Sequence, residues 1–156
     1  MRAAIIGLTV VLLVPTCVGQ SVTPGDMIGR WDLTARVDSG AVSRPTLRLM
    51  LFITTLRRDS VFGEATVYLD RNQPLDNRRC ARLAGTLSDS SHVNLIIFTT
   101  DEPAADMILD AQLDGARHLG GSFRPRDGNN VLPPGARLVF ARQSKDPRRV
   151  GCLTGA

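Results

Sequence analysis

The side chains of this sequence that could do chemistry are few and far apart. His92 and His118 are the only histidines. Both fall near expected turns, on strands that are not neighbours, and no metal-ligand spacing surrounds either one. Ser90-Ser91-His92 also lies in a turn. It lacks the positioned acid and oxyanion donors that an activated serine needs. Asp101, Glu102 and Asp106 share one connection, but their spacing matches no calcium loop. A solvated acidic rim is the simpler reading. The expectation is a chain without catalytic residues, metal or organic cofactor.

Cysteines and arginines are the other reactive groups. Cys17 stands in the N-terminal apolar region, which leaves Cys80 and Cys152 as the natural disulfide pair if the compartment is oxidising. Two unrelated free thiols are the alternative. Closing so long a loop would contribute up to about 4–5 kcal/mol on a chain-entropy argument. The formal net charge is +4, and Lys145 is the only lysine. The arginines are scattered and are not interleaved with aromatics, which argues against a nucleic-acid surface. Arg71, Arg78, Arg79, Arg124 and Arg126 fall on expected long connections. There they would either solubilise a rim or pair with an acidic ligand headgroup.

The start of the chain reads as a targeting segment. Met1-Arg2 is followed by an apolar run from Ala3 to Val14, interrupted only by Gly7 and Thr9, and then by Pro15. This is the layout of a secretory signal peptide, expected over residues 1–19 with one domain over 20–156. The run is shorter than the roughly 20 apolar residues a membrane-spanning helix needs. Val14-Pro15-Thr16-Cys17 loosely matches a bacterial lipoprotein box, departing from it at Thr16, so Cys17 is a candidate lipid anchor. A secreted or periplasmic location follows, membrane-anchored if Cys17 is lipidated.

The elements that would position these groups are strands. Period-2 alternation dominates after residue 30. The expected strands are Trp31–Val37, Thr46–Leu56, Val61–Leu69, Ala81–Leu87, His92–Thr99, Met107–Leu113, Leu119–Arg124 and Ala136–Arg142. In the first, Trp31, Leu33, Ala35 and Val37 alternate with Asp32, Thr34 and Arg36. In the second, Met50 and Phe52 spoil the polar face, so that strand is expected to bury part of both sides. The connections alternate long and short, with an Asp114-Gly115 hairpin signal in one short turn. In an up-and-down meander this gathers every long loop at one end and every tight turn at the other. The expected fold class is all-β, an antiparallel eight-stranded up-and-down barrel with an open mouth and a closed base. Gly63, Gly85 and Gly121 sit inside strands, where glycine marks a bend or a close approach. The outward positions carry Asp32, Arg36, Arg48, Glu64, Arg82 and Asp110, a polarity opposite to that of an outer-membrane barrel.

Gly29-Arg30-Trp31 opens the first strand in the way a Gly-x-Trp motif opens lipocalins and related calycins, and the eight-strand meander is similar. Cys80 and Cys152 lie where many lipocalins join the fourth strand to the tail. Arg142, at the end of the last strand, would arrive where Trp31 starts. The chain thus resembles a minimal bacterial, secreted lipocalin-like barrel. The resemblance implies structural roles for Gly29 and Trp31, with Arg142 stacked on Trp31 at about 0.5–2 kcal/mol. The Thr-Asp-Tyr motif of full lipocalins is missing near Asp114, and the tail after Arg142 is short and holds Pro147 and Gly151, so their C-terminal helix is not expected.

The inward set is aliphatic and aromatic: Leu33, Leu49, Leu51, Val67, Leu83, Leu95, Ile97, Leu109, Phe123 and Phe140, with Thr55 and Thr99 its few polar members. Lining a cavity, these side chains would suit a fatty acid, lipid or isoprenoid, and the protein would be a carrier. Filling the barrel instead, as they do in many small barrels, they would leave a protein-binding module, such as a protease inhibitor or envelope partner. Its contact would be the Gln20–Ile28 stretch or the rim loops. A barrel enzyme needs an inward catalytic group, and the expected register supplies none.

Overall fold

The structure, a computed structural model, describes residues 22–38, 41–43, 48–68, 79–99, 107–125 and 136–147. The expected leader at 1–19, Cys17, Arg71, Arg78, Arg126, Cys152 and the acidic trio Asp101, Glu102 and Asp106 lie outside the described residues. Nine strands follow a short 3-10 turn at Pro24–Met27. They are β1 (Gly29–Asp38), β2 (Ala41–Ser43), β3 (Arg48–Arg57), β4 (Ser60–Tyr68), β5 (Arg79–Leu87), β6 (His92–Thr99), β7 (Met107–Asp114), β8 (His118–Pro125) and β9 (Arg137–Ser144). Every pairing is antiparallel: β1 pairs with β2 and β3, each strand from β3 on pairs with the next, and β1 also pairs with β9, so the wall closes on itself. The result is an all-β, closed eight-stranded barrel with β2 added. Each expected strand is present.

The added strand falls in the first connection, which the sequence reading left as loop. It pairs with the end of β1 through Val37↔Val42 and Arg36↔Ser43. The start of β1 pairs with β3 instead, through Gly29↔Ile53 to Asp32↔Met50. One edge of β1 is therefore shared between two partners, while its other edge follows β9 along most of its length.

Two bulges overturn parts of the expected alternation. In β1 the register against β9 shifts between Leu33 and Ala35. Leu33 pairs with Phe140 and Arg36 with Leu138, both fully buried. Paired residues share a face, so Arg36 turns inward while Ala35 and Val37 turn outward. The extra residue of a bulge flips everything beyond it. In β3 the shift lies between Ile53 and Thr55. Thr55 pairs with the exposed Phe62, and Leu56 pairs with the buried Val61, so Thr55 faces outward, contrary to expectation, and Leu56 joins the core. Thr99 keeps its backbone place opposite Ala81.

The glycines explain how so narrow a wall closes. A Cβ on Gly121 would stand 2.2 Å from the carbonyl oxygen of Asp110 and 2.6 Å from Ala111 Cα. Gly63 and Gly85 meet a neighbouring strand's carbonyl in the same way. At these points the sheet coils too sharply for any side chain, and only a hydrogen fits.

Candidate functional site

The interior is where a carrier would hold its ligand. The ten expected lining side chains are all present on the inward register and range from 0 to 5% exposed, with Leu51, Leu95 and Phe140 at 0% and Leu33 at 5%. They form one continuous apolar cluster with Trp31, Ile53, Met107, Leu119 and Leu138. A cavity of ligand size leaves free surface on the side chains around it, because no protein atoms pack against them there. These ten have almost none. Against the described residues they pack as a core.

The closed end is finished by the N-terminal stretch. Thr23 donates from its N and Oγ1 to Asp26 Oδ2 at 3.0 and 2.8 Å, fixing the 3-10 turn. Those bonds, with Arg142 nearby, hold the Asp26 carboxyl below its ordinary pKa. Met27 is fully buried beneath the barrel, and its carbonyl accepts the Trp31 indole N–H at 2.8 Å. Residues 22–28, part of the Gln20–Ile28 stretch expected as a possible partner contact, close this end as a plug, with Met27 and Val22 packed against the core. Arg142 Cζ lies 4.7 Å from the Trp31 ring centre, within cation–π range, and Arg142 Nη1 lies 3.9 Å from Asp26 Oδ1. The arginine side chain is 7% exposed, with Nε and Nη2 buried and without hydrogen-bond partners. That burial lowers its pKa. Gly29 is strained and close-packed together: φ is +144°, and a Cβ would stand 2.4 Å from the Ser144 carbonyl oxygen.

The tight turns reinforce this end. Asp89 Oδ1 accepts the backbone N–H groups of Ser91 and His92 at 2.7 and 2.8 Å, and these bonds lower its pKa. Each turn also accepts a bond from a strand that follows the adjoining hairpin: Leu87 N to Asp59 O, Leu113 N to Ser91 O, and Arg142 N to Arg117 O, at 2.7–2.9 Å.

The remaining feature lies on the outside of the wall. Cross-strand pairing sets Phe62, Ala84, Ile96 and Ile108 in one row over β4–β7, ending at the exposed Arg124 on β8. The row toward the mouth carries Glu64, Arg82 and Phe98. Phe62 is 43% exposed. Between Phe62 and Phe98 runs an open groove of about 650 Å³, floored by Gly63, Leu83 and Ala84, with Arg82 and Glu64 in its walls. An apolar stripe on an outer face, bordered by two arginines, suits an apolar partner surface that also carries carboxylates.

Of the other expected residues, Arg79 belongs to β5 and Arg124 to the exposed outer face of β8. Cys80 is half-buried opposite Thr66. His92 Nε2 lies 3.3 Å from Asp110 Oδ1. No group of three metal-ligating side chains forms among the described residues. The outer stripe was missed by sequence reasoning, although Ile96-Ile97-Phe98 signalled it by breaking the alternation.

No protein family, curated protein or solved structure matches the chain. What the fold defines is a class, the small closed antiparallel β-barrel.

Proposed function

We propose that this chain is an exported, non-catalytic barrel that binds a protein partner on its outer face between β4 and β7. One observation carries the reading. The side chains expected to line a ligand cavity are at most 5% exposed, while an apolar groove stands open on the outside of the same wall. The partner is a polypeptide segment presenting apolar side chains to Phe62 and Phe98 and carboxylates to Arg82 and Arg124. Export rests on the leader-like start of the chain and on the Cys80–Cys152 pairing, which belongs to the same proposal.

The test is site-specific photo-crosslinking in the producing cell. A photoreactive residue at position 62 is expected to trap one discrete protein adduct, abolished by Arg82→Glu. The same residue at Gln143 is expected to trap none. Equal adducts from both positions would refute the assignment. The carrier reading has one observation in its favour: Arg36 turns into the barrel toward the mouth, a position that suits an acid headgroup. Organic extraction of the purified protein followed by mass spectrometry separates the two. A stoichiometric fatty acid or isoprenoid would establish the carrier.

A further inference from the structure

The outer face over β4–β7 has two halves of different relief. Over β4 and β5 lies the groove of about 650 Å³, walled by Phe62 and floored by Gly63, Leu83 and Ala84. Over β6 and β7 stand Ile96 and Ile108, paired side by side and half-buried. A hollow beside a ridge is self-complementary under a two-fold axis that runs between them, because the axis carries each ridge over the other copy's hollow. We infer that a second copy of this chain occupies the face, with the axis running along the strands between β5 and β6. The inference uses the face of the partner reading but not the partner. It names what covers that face when the partner is absent.

The fit follows from the cross-strand rows. Phe62, Ala84, Ile96 and Ile108 form one row across four strands. The axis inverts that row. Phe62 of one copy then meets Ile108 of the other, and Ala84 meets Ile96, a small side chain under a large one. Two convex walls come closest along the axis and curve apart on either side of it. Ala84 stands next to that line, where space is least. Phe62 stands at the flank with 43% of its surface exposed, where a long side chain is needed to close the gap. The row toward the base carries Ser60, Thr86, Asn94 and Asp110. Inverted, it sets a hydroxyl on the half-exposed Asp110 carboxylate and a hydroxyl on the Asn94 amide, each a donor with an acceptor. The row toward the mouth brings Arg82 of one copy to the ring of Phe98 of the other. No two like charges meet among these pairs. An axis across the strands would instead set Arg124 on Arg124 and Ala84 on Ala84, a repulsion and a void. The axis along the strands also keeps the two sheets within about 30° of alignment, as packed sheets prefer. The face spans three strand spacings, about 14 Å, which places the pair among small, transient interfaces. A transient pair shields Phe62 from water and yields the face to a tighter partner.

Sedimentation velocity on the purified protein tests this. Between about 1 μM and about 1 mM, the range in which weak interfaces assemble, the mass is expected to rise from one chain to two. Ala84→Glu and Phe62→Ser are each expected to weaken the pairing by at least about tenfold, as loss of a central contact does, with Trp31 emission unchanged. If Ala84→Glu disturbs Trp31, the Phe62→Ser result decides. A photoreactive residue at position 62, in a mixture of isotopically light and heavy protein, is expected to join light to heavy chains at the β7 peptide containing Ile108. A chain that stays monomeric, a dimer that both substitutions leave intact, or a crosslink from position 62 to position 62 would overturn the inference. The two readings fail separately. A monomer leaves the cellular crosslinking to decide the partner, whereas a dimer whose only cellular adduct is itself removes the partner and upholds the pairing.

Discussion

The closed end of the barrel and the open stripe on its outer wall are built from the same strands and treat their side chains in opposite ways. At the closed end Trp31 is fully buried, its N–H is satisfied by Met27, and Arg142 covers its ring. On the stripe, Phe62 keeps 43% of its surface in water, and Ile96, Phe98 and Ile108 are only half-buried. The first region converts its apolar side chains into stability, since burial yields about 25 cal/mol per Å². The second leaves that gain unrealised, which is how binding surfaces differ from cores. The difference teaches where to look for function in a small barrel whose interior is packed. In the proposed reading, that is the face where burial is incomplete.

Substitutions can sharpen or break that contrast. The largest effect is expected from Phe140→Ala, which empties a fully buried position facing Leu33 and Leu119. A loss of about 3–5 kcal/mol in denaturant unfolding follows from the removed contacts and the void. A loss under about 1 kcal/mol would show that the interior is loose and reopen the cavity. Gly121→Ala comes next, because its new Cβ meets the backbone of Asp110 and Ala111. Overpacking of this kind costs about 1–3 kcal/mol, and a neutral result would mean that β7 and β8 are not so tightly coiled together.

Arg142→Met tests the closed end more finely. The variant keeps most of the packing on Trp31. It gives up a cation–π contact worth about 0.5–2 kcal/mol, and it removes two buried N–H donors without partners, whose burial costs about 1–3 kcal/mol. The two nearly offset, so stability is expected to change by less than about 1 kcal/mol, while Trp31 emission shifts as the cation leaves its ring. A loss of several kcal/mol would mean that the orphan donors have partners in solution.

Acid stability follows from Asp26 and Asp89. Both have folded pKa values below the ordinary 3.8, so the stability they contribute is present above about pH 4 and is lost as pH falls through the lowered values. Asp89→Ala should flatten the acid limb of the stability profile without altering it near pH 7 in slope. An unchanged acid limb would show that its two backbone bonds do not survive in solution. The smallest stability effect belongs to Phe62→Ser on the stripe, expected within about 0.5 kcal/mol, together with loss of the crosslinked partner. A large destabilisation there would make Phe62 part of the fold rather than of a binding face.

Much of this architecture was legible in the sequence because alternation is a strong signal over eight strands with polar turns. The ten inward residues, the short turn at Asp114-Gly115 and the close approaches at the strand glycines all follow from local pattern. The bulges at Thr34 and Thr54 were not legible. A bulge is set by how two coiled strands meet, and nothing in the composition of β1 marks Arg36 as inward. The plug was hidden for a similar reason: Met27 lies in a polar, Pro- and Gly-containing stretch that reads as a loop, and only the closed barrel gives it a floor to fill. The outer stripe was visible in Ile96 and Phe98 but was overlooked, because attention to the inward register treats an apolar outward residue as noise.

The pairing of β1 with β9 carries a consequence for how the molecule comes into being. Trp31 meets Arg142 only after nearly all of the described chain lies between them. Loop-closure entropy must be overcome before that contact rewards it, so the transition state is late in sequence and folding is slow for the chain's size. A chain emerging N-terminus first presents β1, with its tryptophan, long before the strand that shelters it exists. Until β9 arrives, the growing sheet keeps two unpaired edges and an uncovered apolar face, a state open to misassembly. The last strand is thus the step that commits the molecule, and truncation anywhere before Ser144 should leave an aggregating sheet rather than a smaller barrel.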